Sequence, residues 1–391
     1  MTTAGTPPAG AGPLSGVRVV ELAGIGPGPF AAMLLADLGA DVVRVDRPGG
    51  PGLGLDPAHD VTNRNKRSVV VDLKAPDGPA RVLDLAERAD VLVEGYRPGV
   101  AERLGVGPAD CHARNPRLVY GRMTGWGQDG PLAQRAGHDV AYIALTGTLG
   151  MIGRPGEPPA VPANLLGDYA GGSLYLVVGV LAALHHARAT GTGQVVDAAI
   201  VDGTAHLSTV IHAMLAAGGW QDRRAANLLD GGCPYYGTYE TADGRHMAVG
   251  ALEGKFFAEF LHLLGLDDLA PARTDLTRWD ELRERIATVF KSRTRDEWTA
   301  VFEGSDACVA PVLSLREAPD HPHLAARGTF TEHGGITQPA PAPRFSATPT
   351  AVRTGPARPG ADTAAVARDW GLPAHPAGAP GAPGAPVTDG G

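Results

Sequence analysis

Cysteine is scarce in this chain, and its scarcity limits both redox and metal chemistry. Only Cys111, Cys233 and Cys308 occur among 391 residues, far apart and without a CxxC pair. A disulfide framework or a thiolate metal site is therefore not expected, and a reducing, cytoplasmic location fits best. The histidines do not supply a metal site either, because the sequence has no HExxH or comparable spacing.

Long apolar runs and dense basic blocks are also missing. No window holds the roughly 18 uninterrupted apolar residues that indicate a membrane span, so no span is expected. The formal net charge is -8 at pH 7, and without a Lys/Arg block this argues against nucleic acid as a partner. Residues 1–13 lack the basic start and apolar run of a signal peptide.

The pattern that is present alternates short β-branched runs with helical periodicity. This alternation predicts an α/β fold, with a Rossmann-like large domain built on a parallel sheet. Strands are expected at 17–22, 41–45, 68–73, 91–94 and 118–123, and helices at 30–38, 79–89 and 169–189. Around Ala242-Asp243-Gly244 the texture changes to a predicted hairpin followed by three helices, which indicates a smaller α+β domain.

The length of the chain indicates more than one domain. We expect a flexible N-terminus at 1–12, a large α/β domain at 13–225 with linker helices near 190–225, and a small domain at 226–325. A further segment is expected at 326–353. The Pro, Gly and Ala content of 354–391 predicts a disordered tail.

The turn after the first strand partly matches a dinucleotide-binding fingerprint. It has the sequence Gly-Ile-Gly-Pro-Gly-Pro at 24–29, and Asp46 stands after the next strand, where a ribose ligand would be. Its two prolines remove backbone N–H donors that a phosphate would need. The turn is therefore better explained as a tight strand-to-helix connection with proline in the first helical turn.

Three side chains are candidates for proton transfer. His138 follows Gly137 in a glycine-rich segment and has the ring best suited to acid–base work near neutral pH, although a lone histidine is more often structural. Asp168 precedes a long apolar helix, where it could be an N-cap whose carboxylate the helix dipole keeps ionised. Glu253 stands at another helix start and could instead orient a histidine.

Several basic residues are scattered through the first 100 positions. Some follow predicted strands, where α/β sheets bind ligands, and guanidinium groups match phosphate oxygens. The alternative is an ordinary solvated surface. The residues are Arg44, Arg47, Arg64, Lys66, Arg67 and Arg97.

Beyond these patterns, the chain resembles a known family over about residues 13–350. The segments that carry the likeness are PLSGVRVVEL at 13–22, the Gly-Pro-Gly-Pro turn, LADLGADVVRV at 35–45, NRNKR at 63–67, EGYRPG at 94–99 and VDA at 196–198. They resemble class III CoA-transferases. The transferases usually carry an aromatic residue at position 138, whereas the Gly-His-Asp found here resembles the α-methylacyl-CoA racemases, as do residues 122–128 and 228–232.

The resemblance implies an isomerase that inverts the α-carbon of 2-methylacyl-CoA thioesters in lipid metabolism. His138, oriented by Glu253, would act on one face of the substrate and Asp168 on the other, while the Asp139 backbone N–H stabilises the enolate. No metal or redox cofactor is implied, because coenzyme A is part of the substrate. The implied assembly is an interlocked homodimer with Glu253 supplied by the second copy, and residues 326–353 are implied to return to the large domain.

The same resemblance implies a coenzyme A site at Ile25, Arg47, Val71, Lys74, Gly95, Arg97, Arg103, Gly137 and Tyr142. Two alternatives remain open at this stage: a CoA-transferase that uses Asp168 as a nucleophile, and a non-catalytic acyl-CoA binding protein. The sequence leaves the acyl chain open between branched fatty acyl, sterol-type and arylpropionyl groups.

Overall fold

The chain forms two compact units. The computed structural model describes residues 12–49 and 56–373, so the N-terminus before residue 12 lies outside the described residues. The first unit comprises Met1–Thr146, Ala163–Leu207 and Ala326–Gly391, and the second comprises Gly147–Pro162 and Ser208–Ala325.

The expected boundary near residue 225 is wrong, because the second unit begins earlier and takes in a separate stretch. The Arg224 guanidinium donates hydrogen bonds to the carbonyl oxygens of Gly150 at 2.8 Å, Arg154 at 3.2 Å and Glu157 at 2.5 Å. These bonds join 147–162 to the second unit, and no local sequence pattern announces them.

A parallel sheet of six strands forms the centre of the first unit and confirms the predicted α/β class. The strand order β3-β2-β1-β4-β5-β6 is that of a Rossmann sheet, in which the order of successive strands reverses between β1 and β4. The strands are β1 (Arg18–Leu22), β2 (Asp41–Asp46), β3 (Lys66–Val70), β4 (Val91–Glu94), β5 (Val119–Thr124) and β6 (Val195–Ala199). The last of these was not predicted.

Helices cover both faces of this sheet, as parallel strands require. One face packs against α1 and α6, and the other against α2, α4 and α13. The helices of this unit are α1 (Pro27–Asp37), α2 (Gly78–Arg88), α3 (Val100–Arg103), α4 (Pro108–Arg114), α5 (Asp139–Leu145), α6 (Leu174–Thr190), α7 (Ile200–Leu207) and α13 (Thr363–Trp370). A hairpin of β10 (Phe330–His333) and β11 (Ile336–Pro339) precedes α13.

A π-helical segment, Leu165–Ser173, runs directly into α6. The combined helix Leu165–Thr190 is long and apolar enough to cross a membrane by length and composition alone, with a mean hydropathy of 1.5. Its buried residues belong to the core that packs on the sheet, and Gly121 of β5 lies directly under Leu176 and Val180. We therefore interpret it as a core helix of the α/β unit.

The prediction that the chain is disordered from residue 354 is wrong for 354–373. Val366 and Trp370, one helical turn apart, are 0% and 3% exposed in the core on one face of the sheet. The Trp370 indole N–H also donates to Asp41 Oδ2 at 2.8 Å. Proline and glycine between these elements hid the short amphipathic pattern. Residues 374–391 lie outside the described residues.

The second unit has its own core around an antiparallel sheet, in the order β7-β8-β9. Thr294 accepts a hydrogen bond from the Glu297 backbone N–H, and Glu297 accepts from that of Thr294, which forms a capping box at the start of the helix Arg295–Phe302. The elements are α8 (Thr209–Ala216), β7 (Tyr236–Glu240), β8 (His246–Gly250), α9 (Gly254–Leu264), α10 (Trp279–Phe290), α11 (Arg295–Phe302) and β9 (Val309–Pro311), with α12 (Pro322–Arg327) at the boundary.

Candidate active site

A cavity of about 660 Å³ opens beside the carboxyl ends of the central strands of the first unit. Its walls include the turn after β1, residues 94–98 after β4 and residues 123–126 after β5. The order of the strands reverses between β1 and β4, and open α/β sheets bind ligands at such a switch point. The first unit therefore carries a ligand-sized site where its topology predicts one.

The turn after β1 is a tight connection between strand and helix and not a phosphate-binding loop. Gly26 is the N-cap of α1 with a φ of 71°, and proline occupies the first helical turn, as predicted. Asp46, the ribose ligand of the dinucleotide interpretation, is instead ion-paired with Arg44 at 2.8 Å and accepts a hydrogen bond from Ser68 Oγ. The Asp46 carboxylate is therefore occupied by contacts with Arg44 and Ser68 inside the core.

His138 is the N-cap residue of α5 and lines the cavity with an exposed side chain. Its backbone is extended, and its carbonyl oxygen accepts from the Ala141 N–H at 2.8 Å. The preceding Gly137 allows this path, because a Cβ there would lie 2.6 Å from Tyr142 Cε1 and 3.0 Å from Trp126 Nε1. The imidazole is thus carried by a packed helix start and not by a free loop.

Asp168 lines the same cavity, half-buried, from the π-helical segment. The prediction that it is an N-cap is wrong, because Asn164 caps the segment and Asp168 is four residues further on. Asn164 Nδ2 donates to Asp168 Oδ2 at 3.2 Å. Gly26 approaches the same carboxyl so closely that a Cβ there would lie 3.3 Å from Oδ2.

The expected dipole-stabilised carboxylate is also not what the structure shows. Burial raises the pKa of Asp168 above its ordinary value, and the charge of Asp139 adds to this. The Asn164 hydrogen bond and the charge of His138 oppose the increase. Asp168 therefore holds a proton more readily than an exposed aspartate does.

Asp139 is the first residue of α5 and is 6% exposed. Its Oδ1 accepts the backbone N–H of Asp168 at 2.6 Å, so the helix that carries His138 is tied to the segment that carries Asp168. Its own backbone N–H is one of the first N–H groups of a helix, which have no partner within the helix. The role of that group as an oxyanion donor stays a prediction.

The predicted coenzyme A residues fall into two groups. Six of them line the cavity: Ile25, Arg47, Gly95, Arg97, Gly137 and Tyr142. Val71 is instead 5% exposed within the core, while Lys74 and Arg103 are exposed after β3 and at the end of α3. The binding roles of all nine stay predictions.

Sequence reasoning missed several residues of the cavity. Arg135 adds a third guanidinium to those of Arg47 and Arg97, and Asn164 contacts the Asp168 carboxyl. Arg135 stands three residues before His138, so its position beside the Gly-His-Asp motif could have indicated it. Asn164 precedes Asp168 by four residues, the spacing of neighbours on a helix.

Glu253 belongs to the second unit, where it is the exposed N-cap residue of α9. Its side chain makes no capping hydrogen bond, so the proposed orienting role stays a prediction. Among residues 12–49 and 56–373, no group of three His, Cys, Asp or Glu side chains could hold a metal ion.

Comparisons with known proteins agree on one family. The profile of CoA-transferase family III matches residues 14–363. The chain is 47% identical over 340 residues to alpha-methylacyl-CoA racemase from Homo sapiens, covering 86% of this chain and 87% of that protein. It is 46% identical over 338 residues to the same racemase from Mus musculus, with coverage of 86% and 87%. A solved CaiB/BaiF family protein from Brucella suis has a TM-score of 0.79 at 27% identity, covering 92% of this chain and 100% of that one.

Proposed function

Because the chain belongs to CoA-transferase family III, we propose that it is the racemase type of that family and inverts the α-carbon of 2-methylacyl-CoA thioesters. The high identity to alpha-methylacyl-CoA racemases supports an isomerase. The observation that carries the proposal is that the imidazole of His138 and the carboxyl of Asp168 line one cavity. Inversion needs one proton acceptor and one proton donor on opposite sides of a carbon, and this pair supplies both.

The reaction moves one proton in and one proton out. In one direction His138 takes the α-proton, and the C–H electron pair becomes an enolate whose negative charge lies on the thioester oxygen. Asp168 in its acid form then returns a proton to the other face of the carbon. In the reverse direction the carboxylate of Asp168 is the base and the protonated imidazole is the acid.

The active pair therefore holds one proton in total. The raised pKa of Asp168 favours this, because it brings the proton affinity of a carboxyl towards that of an imidazole. The Asp139 backbone N–H is proposed as an enolate donor, and preorganised donors of this kind contribute roughly 3–4 kcal/mol each. The proposed reaction changes no oxidation state and stores the electron pair in the thioester, so its chemistry needs no redox or metal cofactor.

The three guanidinium groups of Arg47, Arg97 and Arg135 are proposed to bind the phosphates of coenzyme A. All three line the cavity and are exposed to solvent, which leaves them open to an incoming anion. A net charge of -8 makes such a local cluster necessary for a polyanionic ligand. Val71, Lys74 and Arg103 remain proposed as outlying parts of the same binding region.

An interlocked homodimer with Glu253 supplied by the second copy is also proposed. It is supported by the apolar face of α6 that points away from the sheet, where Leu174 is 48% and Val178 is 65% exposed. Light scattering on the purified chain should give twice its 40.2 kDa mass. A Val178→Glu variant should shift the mass towards the monomer, and an unchanged dimer would reject α6 as the interface.

We also propose a cytoplasmic location, supported by three cysteines that are all free thiols. Fractionation of cells that express the protein tests it, and recovery with membranes or an exported fraction would reject it.

Isotope exchange tests the proposed function directly. Each epimer of a 2-methylacyl-CoA thioester, incubated in D2O, should gain α-deuterium and yield both epimers. Asp168→Asn and His138→Gln should each slow epimerisation by at least about 100-fold, the usual contribution of a positioned acid or base. Leu315→Ala, at a side chain that is 93% exposed, is the control and should behave as the wild type.

The alternatives predict different products. A transferase would move coenzyme A to a free carboxylic acid, and hydroxylamine would trap an acyl group on Asp168. A non-catalytic binding protein would bind thioesters with no α-deuterium gained. Full epimerisation by Asp168→Asn would overturn the two-base scheme.

A further inference from the structure

The side chain of Asp139 has no task in the proposed reaction, which uses only its backbone N–H. Nevertheless, the side chain is 6% exposed, and burying an ionisable carboxyl is costly unless it is satisfied. Oδ1 accepts the Asp168 backbone N–H at 2.6 Å. Oδ2 is buried and has no hydrogen-bond partner among the described residues. A half-satisfied buried carboxyl beside a reactive group calls for a functional reason.

The hydrogen bond from the Asp168 backbone N–H to Asp139 pairs a group that has no partner within the π-helical segment. In a π-helix each N–H bonds to the carbonyl oxygen five residues earlier. For Asp168 that carbonyl belongs to Ala163, which lies before the segment Leu165–Ser173 and its cap Asn164. The N–H of Asp168 is thus one of the unpaired groups at the start of the helix, and Asp139 pairs it from the neighbouring helix.

The contact between the Asp139 carboxyl and the Asp168 backbone requires glycine at position 167. A Cβ at Gly167 would lie 2.3 Å from Asp139 Oδ1 and 2.9 Å from Ile143 Cγ2. Only glycine at 167 lets the carboxyl reach the next backbone N–H. A residue with any side chain there would push Asp139 away or unwind the first turn of the segment.

From this geometry we infer that the Asp139 side chain is a positioning residue, which fixes the backbone of Asp168 and keeps a second negative charge beside its carboxyl. The inference rests on the proposed racemase function. Among the described residues, the ionisable groups whose charges act on Asp168 are His138 and Asp139, and Tyr142 of the same helix responds to the charge of Asp168. The turn before α1 contributes the backbone of Gly26, whereas α7 packs against the segment at Gly171, where it places Gly203 and Thr204. Burial is the largest cause of the raised pKa of Asp168; the charge of Asp139 raises it further, and that of His138 lowers it.

The charge of Asp139 is tested by Asp139→Asn, which keeps an oxygen to accept the Asp168 N–H but removes the negative charge. Epimerisation is lost in acid when the second proton enters the pair of His138 and Asp168. Without the charge of Asp139, the carboxyl of Asp168 binds that proton less readily. The acidic limb of the kcat/KM profile should therefore move to lower pH.

The matched control is Asp77→Asn, which removes one carboxylate from an exposed helix start that makes no capping hydrogen bond. Its profile should overlay that of the wild type. A merely structural role for Asp139 would lower activity at every pH without moving the acidic limb, and that result would overturn the inference.

The positioning role is tested separately by Gly167→Ala, which displaces the Asp139 carboxyl and leaves its charge. It should lower kcat/KM by about 10-fold to 100-fold, the effect of losing a buried hydrogen bond. Wild-type kcat/KM in this variant would overturn the positioning role. A wild-type enzyme that exchanges no α-hydrogen would overturn the proposed function itself, and the inference with it.

Discussion

A buried ion pair beneath the cavity offers a quantitative test of the fold. Lys66 Nζ lies 2.7 Å from Glu21 Oε2, and each side chain is 1% exposed. The ammonium group also donates to the Pro29 carbonyl oxygen at 2.9 Å and to Asn63 Oδ1 at 3.3 Å. One lysine thus connects β3, β1 and the first turn of α1. Burial raises the pKa of Glu21 and lowers that of Lys66, which disfavours both charged forms, while the charge and hydrogen bond of each partner oppose the shift in the other.

Replacing Lys66 by methionine keeps the volume and removes the charge. The carboxyl of Glu21 is then buried without its counter-ion, and the Pro29 carbonyl oxygen loses a donor. Breaking a buried pair in this way costs about 3–5 kcal/mol. The double variant Glu21→Leu/Lys66→Met should be within about 1 kcal/mol of the wild type or more stable, because replacing both charges by apolar groups removes their desolvation penalty.

The loss in Lys66→Met should depend on pH, with a sign that follows from Glu21. Its folded-state pKa is raised by burial and rises further without the lysine. A raised folded pKa gives stability that is present below the unfolded pKa and is lost as pH rises through the folded value. The variant should therefore be closest to the wild type in acid and fall behind it as pH increases.

Urea unfolding at about pH 5.5 and about pH 8 measures both effects. Arg278→Met is the control, since its ion pair with Glu281 is exposed at 35% and 49% and surface pairs contribute little. If Lys66→Met unfolds at the wild-type urea concentration at both pH values, the pair is not a buried counter-charge. A double variant that loses as much as Lys66→Met alone would refute the desolvation argument.

Three further predictions concern the core, the helix contact and the ligand. Trp370→Ala should cost about 3–5 kcal/mol in urea unfolding, whereas Arg368→Ala, whose side chain is 75% exposed, should cost almost nothing. Gly203→Ala would place a Cβ 1.9 Å from the Gly171 carbonyl oxygen, so it should cost about 1–3 kcal/mol and lower epimerase activity. Arg135→Ala should raise KM for the thioester about 10-fold and weaken its salt dependence, with kcat nearly unchanged.

Local sequence pattern was enough to predict most of the sheet. Short β-branched runs gave five of its six strands, and each lies within a few residues of its predicted bounds. β6 was missed because Val195–Ala199 continues without a turn residue into α7, so the apolar pattern has no visible break. The inclusion of 147–162 in the second unit was not predictable, because it depends on Arg224, whose carbonyl partners lie about 70 residues away in sequence.

The candidate site was predictable in part. The resemblance indicated His138 and Asp168, and both line the cavity. The environment of Asp168 was not predictable, because an aspartate before an apolar helix has the pattern of an N-cap. The additional turn of the π-helix moves it inside the segment, where burial and Asp139 set its pKa. The five-residue hydrogen-bond spacing of a π-helix leaves no recognisable mark in the segment Leu165–Ser173.

Three glycines allow close packing around His138 and Asp168. A Cβ would lie 2.6 Å from Tyr142 at Gly137, 2.3 Å from Asp139 at Gly167 and 3.3 Å from the Asp168 carboxyl at Gly26. Because glycine has no Cβ, each of the three positions leaves room for Tyr142, Asp139 or Asp168. Side chains there would displace groups beside His138 and Asp168. Because proton transfer needs hydrogen-bond distances, such shifts act on the rate before they act on stability.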